Sequence, residues 1–138
     1  MNAVDAPLLI FSHANSFPAG TYTKLFRELG RRGLQVQAIP QLGHDPNYPV
    51  TDNWPHLVQQ LLDFAQPHIQ SHRGPVYWVG HSLGGFLSLM AAALQPELAQ
   101  GVVLIDSPML GGWRASLLGM SKRTALIGSI SPGAISRK

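Results

Sequence analysis

Residues 78–86 read WVGHSLGGF, and the placement of their glycines decides the fold. VYWVG at 76–80 is a short apolar run, and LGGFLSLMAAALQP at 83–96 is apolar almost all round. The pattern predicts a buried strand, a tight turn and then a buried helix. Gly80, Ser82 and Gly84 fit G-x-S-x-G at that turn. A chain that reverses so sharply holds its central serine in a strained backbone conformation, which non-glycine residues adopt only under constraint. Residues two before and two after the serine are driven together, so each must lack a Cβ. Gly85 gives the helix further room against the strand. The backbone N–H of Leu83, first in the helix, faces the space above Ser82, where negative charge would be stabilised. No lysine follows the glycines and the spacing is not G-x-G-x-x-G, so neither nucleotide-binding loop is present.

Working outward, the same alternation recurs. LLIF at 8–11 and GVVLID at 101–106 read as buried strands, and LQVQAIP at 34–40 as another. TYTKLFRELGRR at 21–32 has helical spacing and Gly33 to end it. Pro55 suits a helix first turn, with Asp52 or Asn53 as capping candidates. Trp54, Leu57, Val58, Leu61, Leu62 and Ala65 form its apolar stripe, and Pro67 is expected to kink or end it. The intervening loop 41–53 is long enough to expect a functional role. Beyond Pro108 the periodicity weakens, with a further helix expected near 114–127. The order predicts an α/β fold of three αβα layers on a mostly parallel sheet, with about four strands present.

The chain has 138 residues, 45% of them apolar and 12% charged, which places it among globular proteins. It has no cysteine, so disulfides, thiolate metal sites and cysteine nucleophiles are excluded. No apolar run approaches the ~18 residues of a membrane span, and no secretory signal is visible, so a cytoplasmic setting is expected. The net charge of +3 is unevenly spread: all seven acidic residues lie before residue 114, and residues 114–138 carry five basic ones. That tail is also apolar (LLGM, TALIGSI), so it reads as part of a larger structure and not as a nucleic-acid arm.

GHSLGG at 80–85, FSHANSF at 11–17 and VVLIDSP at 102–108 together resemble the α/β-hydrolase superfamily, in its serine esterase and lipase-like branch. The resemblance implies that Ser82 is the nucleophile and that the FSHAN loop completes the oxyanion hole. Asn15 would then supply the second backbone N–H beside Leu83. Ala14 stands where glycine is usual. His13 would be structural, orienting the loop, and Phe17 would line the substrate pocket. His44 and Asp45 are assigned structural roles. Asp106, at the end of its strand, is the expected triad acid; its other reading is a turn-capping carboxylate. No cofactor and no metal are expected, and the implied partner is a small ester or acyl substrate, with no nucleic acid.

A serine hydroxyl needs a base, and in this fold the chain order is serine, acid, histidine. The six histidines stand at 13, 44, 56, 68, 72 and 81, none of them after Ser82. His81 is adjacent to Ser82 but its side chain is expected to point away. The resemblance therefore implies that residues 1–108 are the N-terminal part of the hydrolase core and 109–138 the beginning of a helical cap, truncated, with the base beyond them. The alternative expectations are a non-catalytic ligand-binding protein on this fold, or an inactive fragment.

Overall fold

The structure is a computed structural model that describes residues 5–15, 17–107 and the backbone of 125–130. Its elements are β1 (Leu8–Ser12), α1 (Thr23–Arg31), β2 (Gln35–Ala38), α2 (Pro55–Gln70), β3 (Val76–His81), α3 (Leu83–Leu94), β4 (Gly101–Ile105) and β5 (Ala125–Ile130). Single turns of 3₁₀ helix at Ala19–Tyr22 and Pro96–Leu98 link some of them. The strands form one sheet in the order β2-β1-β3-β4-β5. Every pairing is parallel.

This order reverses direction once. From β1 the chain steps outward to β2; from β2 it returns past β1 to β3 and continues to β4. Right-handed crossovers then place α1 on one face and α2 and α3 on the other. The side chains agree. Phe11 meets Phe26 of α1 edge-on at 5.0 Å. Leu8, Ile10, Val76, Trp78, Val102 and Leu104, pointing the other way, share a core with α2 and α3. On the α1 side, Leu25 and Leu29 face Leu9, Tyr77, Val79 and Val103 across an apolar trough. The reversal between β1 and β3 opens a crevice beyond their carboxyl ends, where ligands bind in sheets of this kind.

α3 is buried along most of its length because it packs against the sheet and α2. α2 buries the expected stripe from Leu57 to Ala65. Its start differs from expectation. The N-cap is Trp54, in the left-handed conformation with φ 53° and no side-chain cap bond, and neither Asp52 nor Asn53 caps the helix. Pro67 lies inside the last turn, and the helix continues to Gln70, where Ser71 Oγ donates to the Pro67 carbonyl. A proline there forfeits one bond near the frayed end, where the loss is smallest.

A fifth strand joins the four expected ones. Residues 125–127, expected at the end of a helix, instead open β5, held by parallel pairing to β4. The rest of that expected helix, the boundary at 108 and the greater part of the cap segment lie outside the described residues.

Leu61 is completely buried between α2 and the sheet. Leu61→Ala should destabilise the protein by about 2–5 kcal/mol, through lost burial and an unfilled cavity, as read by the midpoint of urea unfolding.

Candidate active site

Two strand ends build the site. Ser12 of β1 lies opposite Gly80 of β3, so the chain leaving each strand enters the crevice side by side. After β3 it turns back at once into α3. Ser82 sits at that corner with φ 54° and ψ −119°, the strain the motif predicts. The glycines explain how the corner closes. A Cβ on Gly80 would overlap the Gly84 carbonyl, and one on Gly84 would overlap the Ser12 carbonyl and crowd that of His13. A Cβ on Gly85 would strike the Ser107 hydroxyl. The elbow is pressed against its own strand, the loop after β1 and the residues after β4.

β4 fixes the elbow from the other side. The Ser82 N–H donates to the Ile105 carbonyl at 3.0 Å, and Ser107 Oγ donates to the Ser82 carbonyl at 2.9 Å. Asp106 lies between these two anchors, exposed and also at positive φ (45°). The tight turn puts it beside the elbow at the carboxyl edge of the sheet.

The loop after β1 is held with equal care. His13 is buried, and both ring nitrogens are engaged: Nδ1 with the Ala14 carbonyl at 2.8 Å and Nε2 with the Leu42 N–H at 2.8 Å. Because Leu42 can only donate, Nε2 accepts and the proton sits on Nδ1. Burial lowers the His13 pKa below 6.5; the bond to the Ala14 carbonyl opposes this, and repulsion from His44 adds to it. A neutral histidine with no free nitrogen orients loops and does not abstract a proton from serine. His81 points to Tyr22, its Nδ1 lying 2.8 Å from the phenolic oxygen.

The Ala14 carbonyl also accepts from the Phe17 N–H at 3.1 Å. That carbonyl and the Asn15 N–H belong to one trans peptide and point in opposite directions. Two donors on the carbonyl therefore aim the N–H. Among the described residues, neither the Asn15 N–H nor the Leu83 N–H has an acceptor of its own. Both residues line one cleft of about 280 Å³, walled by Leu42, Val50, Trp54 and Leu87. Two backbone donors without an acceptor among the described residues, on one cleft, can bind an oxygen that gains negative charge. Phe17, 52% exposed, lies in an adjoining depression with Pro18. His44 borders both hollows. Among the described residues no group of three or more acidic or histidine side chains is placed to hold a metal ion, and no helix is long and apolar enough to cross a membrane.

Sequence reasoning missed two contributors. Tyr22 looked like part of a helix stripe, yet its hydroxyl reaches both the Ala14 N–H and His81. Trp54 also looked like a stripe residue, but its left-handed backbone turns it into the cleft wall, edge-on to Phe86 at 5.7 Å. Both fitted a helical period, which says nothing of these contacts.

Comparison with known proteins agrees with this geometry. The sequence model described as the alpha/beta hydrolase family matches residues 9–136. The chain is 25% identical over 141 residues to a monoglyceride lipase homolog of monkeypox virus, covering 94% of this chain and 51% of that protein. It is 31% identical over 107 residues to the monoglyceride lipase of Homo sapiens, covering 75% and 35% respectively. The chain thus spans between a third and about half the length of these relatives. Among solved structures, a CIB-like hydrolase from Thermoplasma acidophilum superposes with a TM-score of 0.71 at 17% identity, over 91% of this chain and 63% of that one. An E-2-(acetamidomethylene)succinate hydrolase gives 0.60 at 29% identity, over 72% and 37%.

The lowered His13 pKa has a consequence for stability. The unfolded chain takes up the His13 proton near pH 6.5, before the folded protein does. The stabilisation is complete above that value and is lost as pH falls from it towards the folded pKa. Urea midpoints should decline below pH 6.5, this residue contributing at most about 1.4 kcal/mol per pH unit. The decline should be shallower in a His13→Gln variant.

Proposed function

The chain belongs to the alpha/beta hydrolase family, and on that premise we propose that it carries the nucleophile and oxyanion hole of a serine hydrolase that cleaves small esters or related acyl compounds. The observation that carries this reading is Ser82, held at φ 54° on the elbow, with Asn15 and Leu83, whose N–H groups have no acceptor among the described residues, lining one cleft. Lipase and esterase names among the relatives support an ester as substrate.

The reaction follows from these positions. A base takes the Ser82 proton as Oγ attacks the substrate carbonyl carbon. The carbonyl electron pair moves onto oxygen, and the Asn15 and Leu83 N–H groups receive that charge. As the tetrahedral species collapses, the base returns its proton to the leaving alcohol. Water then repeats the sequence on the acyl-enzyme and frees the acid. His13 and His81 are committed to other partners. In the order usual for this fold the base is a histidine that follows the serine and the acid, and Asp106 is the acid that orients it. The anchors on either side of Asp106 favour this assignment, because they hold its backbone against the elbow.

The test is covalent labelling of the full-length protein with a fluorophosphonate, alongside hydrolysis of short-chain p-nitrophenyl esters. Ser82→Ala should abolish labelling and reduce hydrolysis by at least about 10⁴-fold. Labelling that persists in Ser82→Ala would remove the nucleophile assignment. Asp106→Asn should lower kcat by orders of magnitude if it orients the base, and hardly at all if it only caps a turn.

A further inference from the structure

We propose that Tyr22 is a positioning residue for the oxyanion hole, its hydroxyl tying the loop after β1 to the elbow. The proposal rests on the reading of Asn15 N–H as an oxyanion donor. The Tyr22 oxygen accepts from the Ala14 N–H at 3.0 Å and lies 2.8 Å from His81 Nδ1. The phenol oxygen thus holds the Ala14 N–H and the His81 ring at once. One hydroxyl thus joins Ala14, beside the loop donor, to His81, beside Ser82.

The Ala14 residue is thereby fixed on both sides. Its N–H is held by Tyr22, and its carbonyl by His13 Nδ1 and the Phe17 N–H. The first bond sets the peptide before Ala14 and the other two set the peptide after it. With both planes fixed, the Asn15 N–H has one direction. Ala14 is 4% exposed, so without Tyr22 its N–H would have no water to turn to.

The phenol ring is placed to do this. It packs against Phe11 at 4.7 Å and Phe26 at 6.0 Å, with the His81 ring edge-on at 5.8 Å. Burial raises the Tyr22 pKa above 10, though the Ala14 N–H pulls the other way. The hydroxyl therefore keeps its proton at neutral pH. The walls of the cleft come from other segments, at Leu42, Val50, Trp54 and Leu87. Removing the hydroxyl should accordingly affect the transition state and leave ground-state binding nearly unchanged.

Tyr22→Phe keeps the ring and deletes only the bridge. Losing an oxyanion donor outright costs about 10²–10³ in kcat. Misdirecting one should cost about tenfold, with KM for p-nitrophenyl esters of the full-length protein within about twofold of the parent. Fluorophosphonate labelling should slow in parallel. His81→Leu cuts the same bridge at its other end. If the bridge acts as one unit, the double variant loses less than the product of the two single losses. Unchanged kcat in Tyr22→Phe, a rise in KM alone, or losses that simply multiply would each overturn the proposal. So would a kcat loss fully accounted for by unfolded protein in the thermal melt. Ser82→Ala serves as the reference: if it stays active, the hydrolase reading itself has failed. If it is inactive while Tyr22→Phe matches the parent, only the role of Tyr22 has failed.

Discussion

Everything in the site follows from one contact, the Gly84 Cα against the Ser12 carbonyl. No side chain fits there. The start of α3 therefore lies as close to the end of β1 as two backbones can approach. That closeness forces Ser82 into its strained conformation and brings Leu83 to the same cleft as Asn15. The strain is sustained by anchors at Ile105 and Ser107, which grip the N–H and carbonyl of Ser82. A residue in so sparsely populated a conformation costs of order 1–3 kcal/mol and persists only where its surroundings leave no alternative.

The sheet supplies those surroundings, and its order was legible because the constraint is repetitive. β1, β3 and β4 are largely buried, which makes each a short unbroken apolar run, and each crossover helix writes its own period. The runs at 8–11, 76–80 and 101–106 became β1, β3 and β4 within a residue or two. Gly33, at φ 85°, ended its helix as glycine does. Where the reading failed, the deciding contact was tertiary. A helix near 114–127 seemed indicated by weak local pattern, but Ala125–Ile130 pairs with β4, and pairing to an existing edge outweighs propensity. At Trp54 the cap residues were chosen from side-chain chemistry, whereas the backbone there is set by packing of the indole against Phe86.

The site divides the same way. Ser82 and its glycines announce themselves because sterics restrict residue type at fixed spacing. The loop-orienting role of His13 was readable only as what the resemblance implied, since it depends on Leu42 lying 29 positions away. Tyr22 was not readable at all. Its partners are Ala14 and His81, and no spacing rule links 14, 22 and 81. Hydrogen bonds between distant segments leave no trace in periodicity, although they orient the groups that perform the chemistry.

The cleft walls deserve a different kind of notice. Leu42, Val50 and Trp54 sit on or beside the long connection between β2 and α2, which contributes nothing to the elbow. The elbow itself closes main chain against main chain, at Gly80 and Gly84, where no side chain fits. The chamber is set by side chains on a stretch that tolerates change. Change along this one connection can therefore redraw the cleft while the elbow keeps its shape.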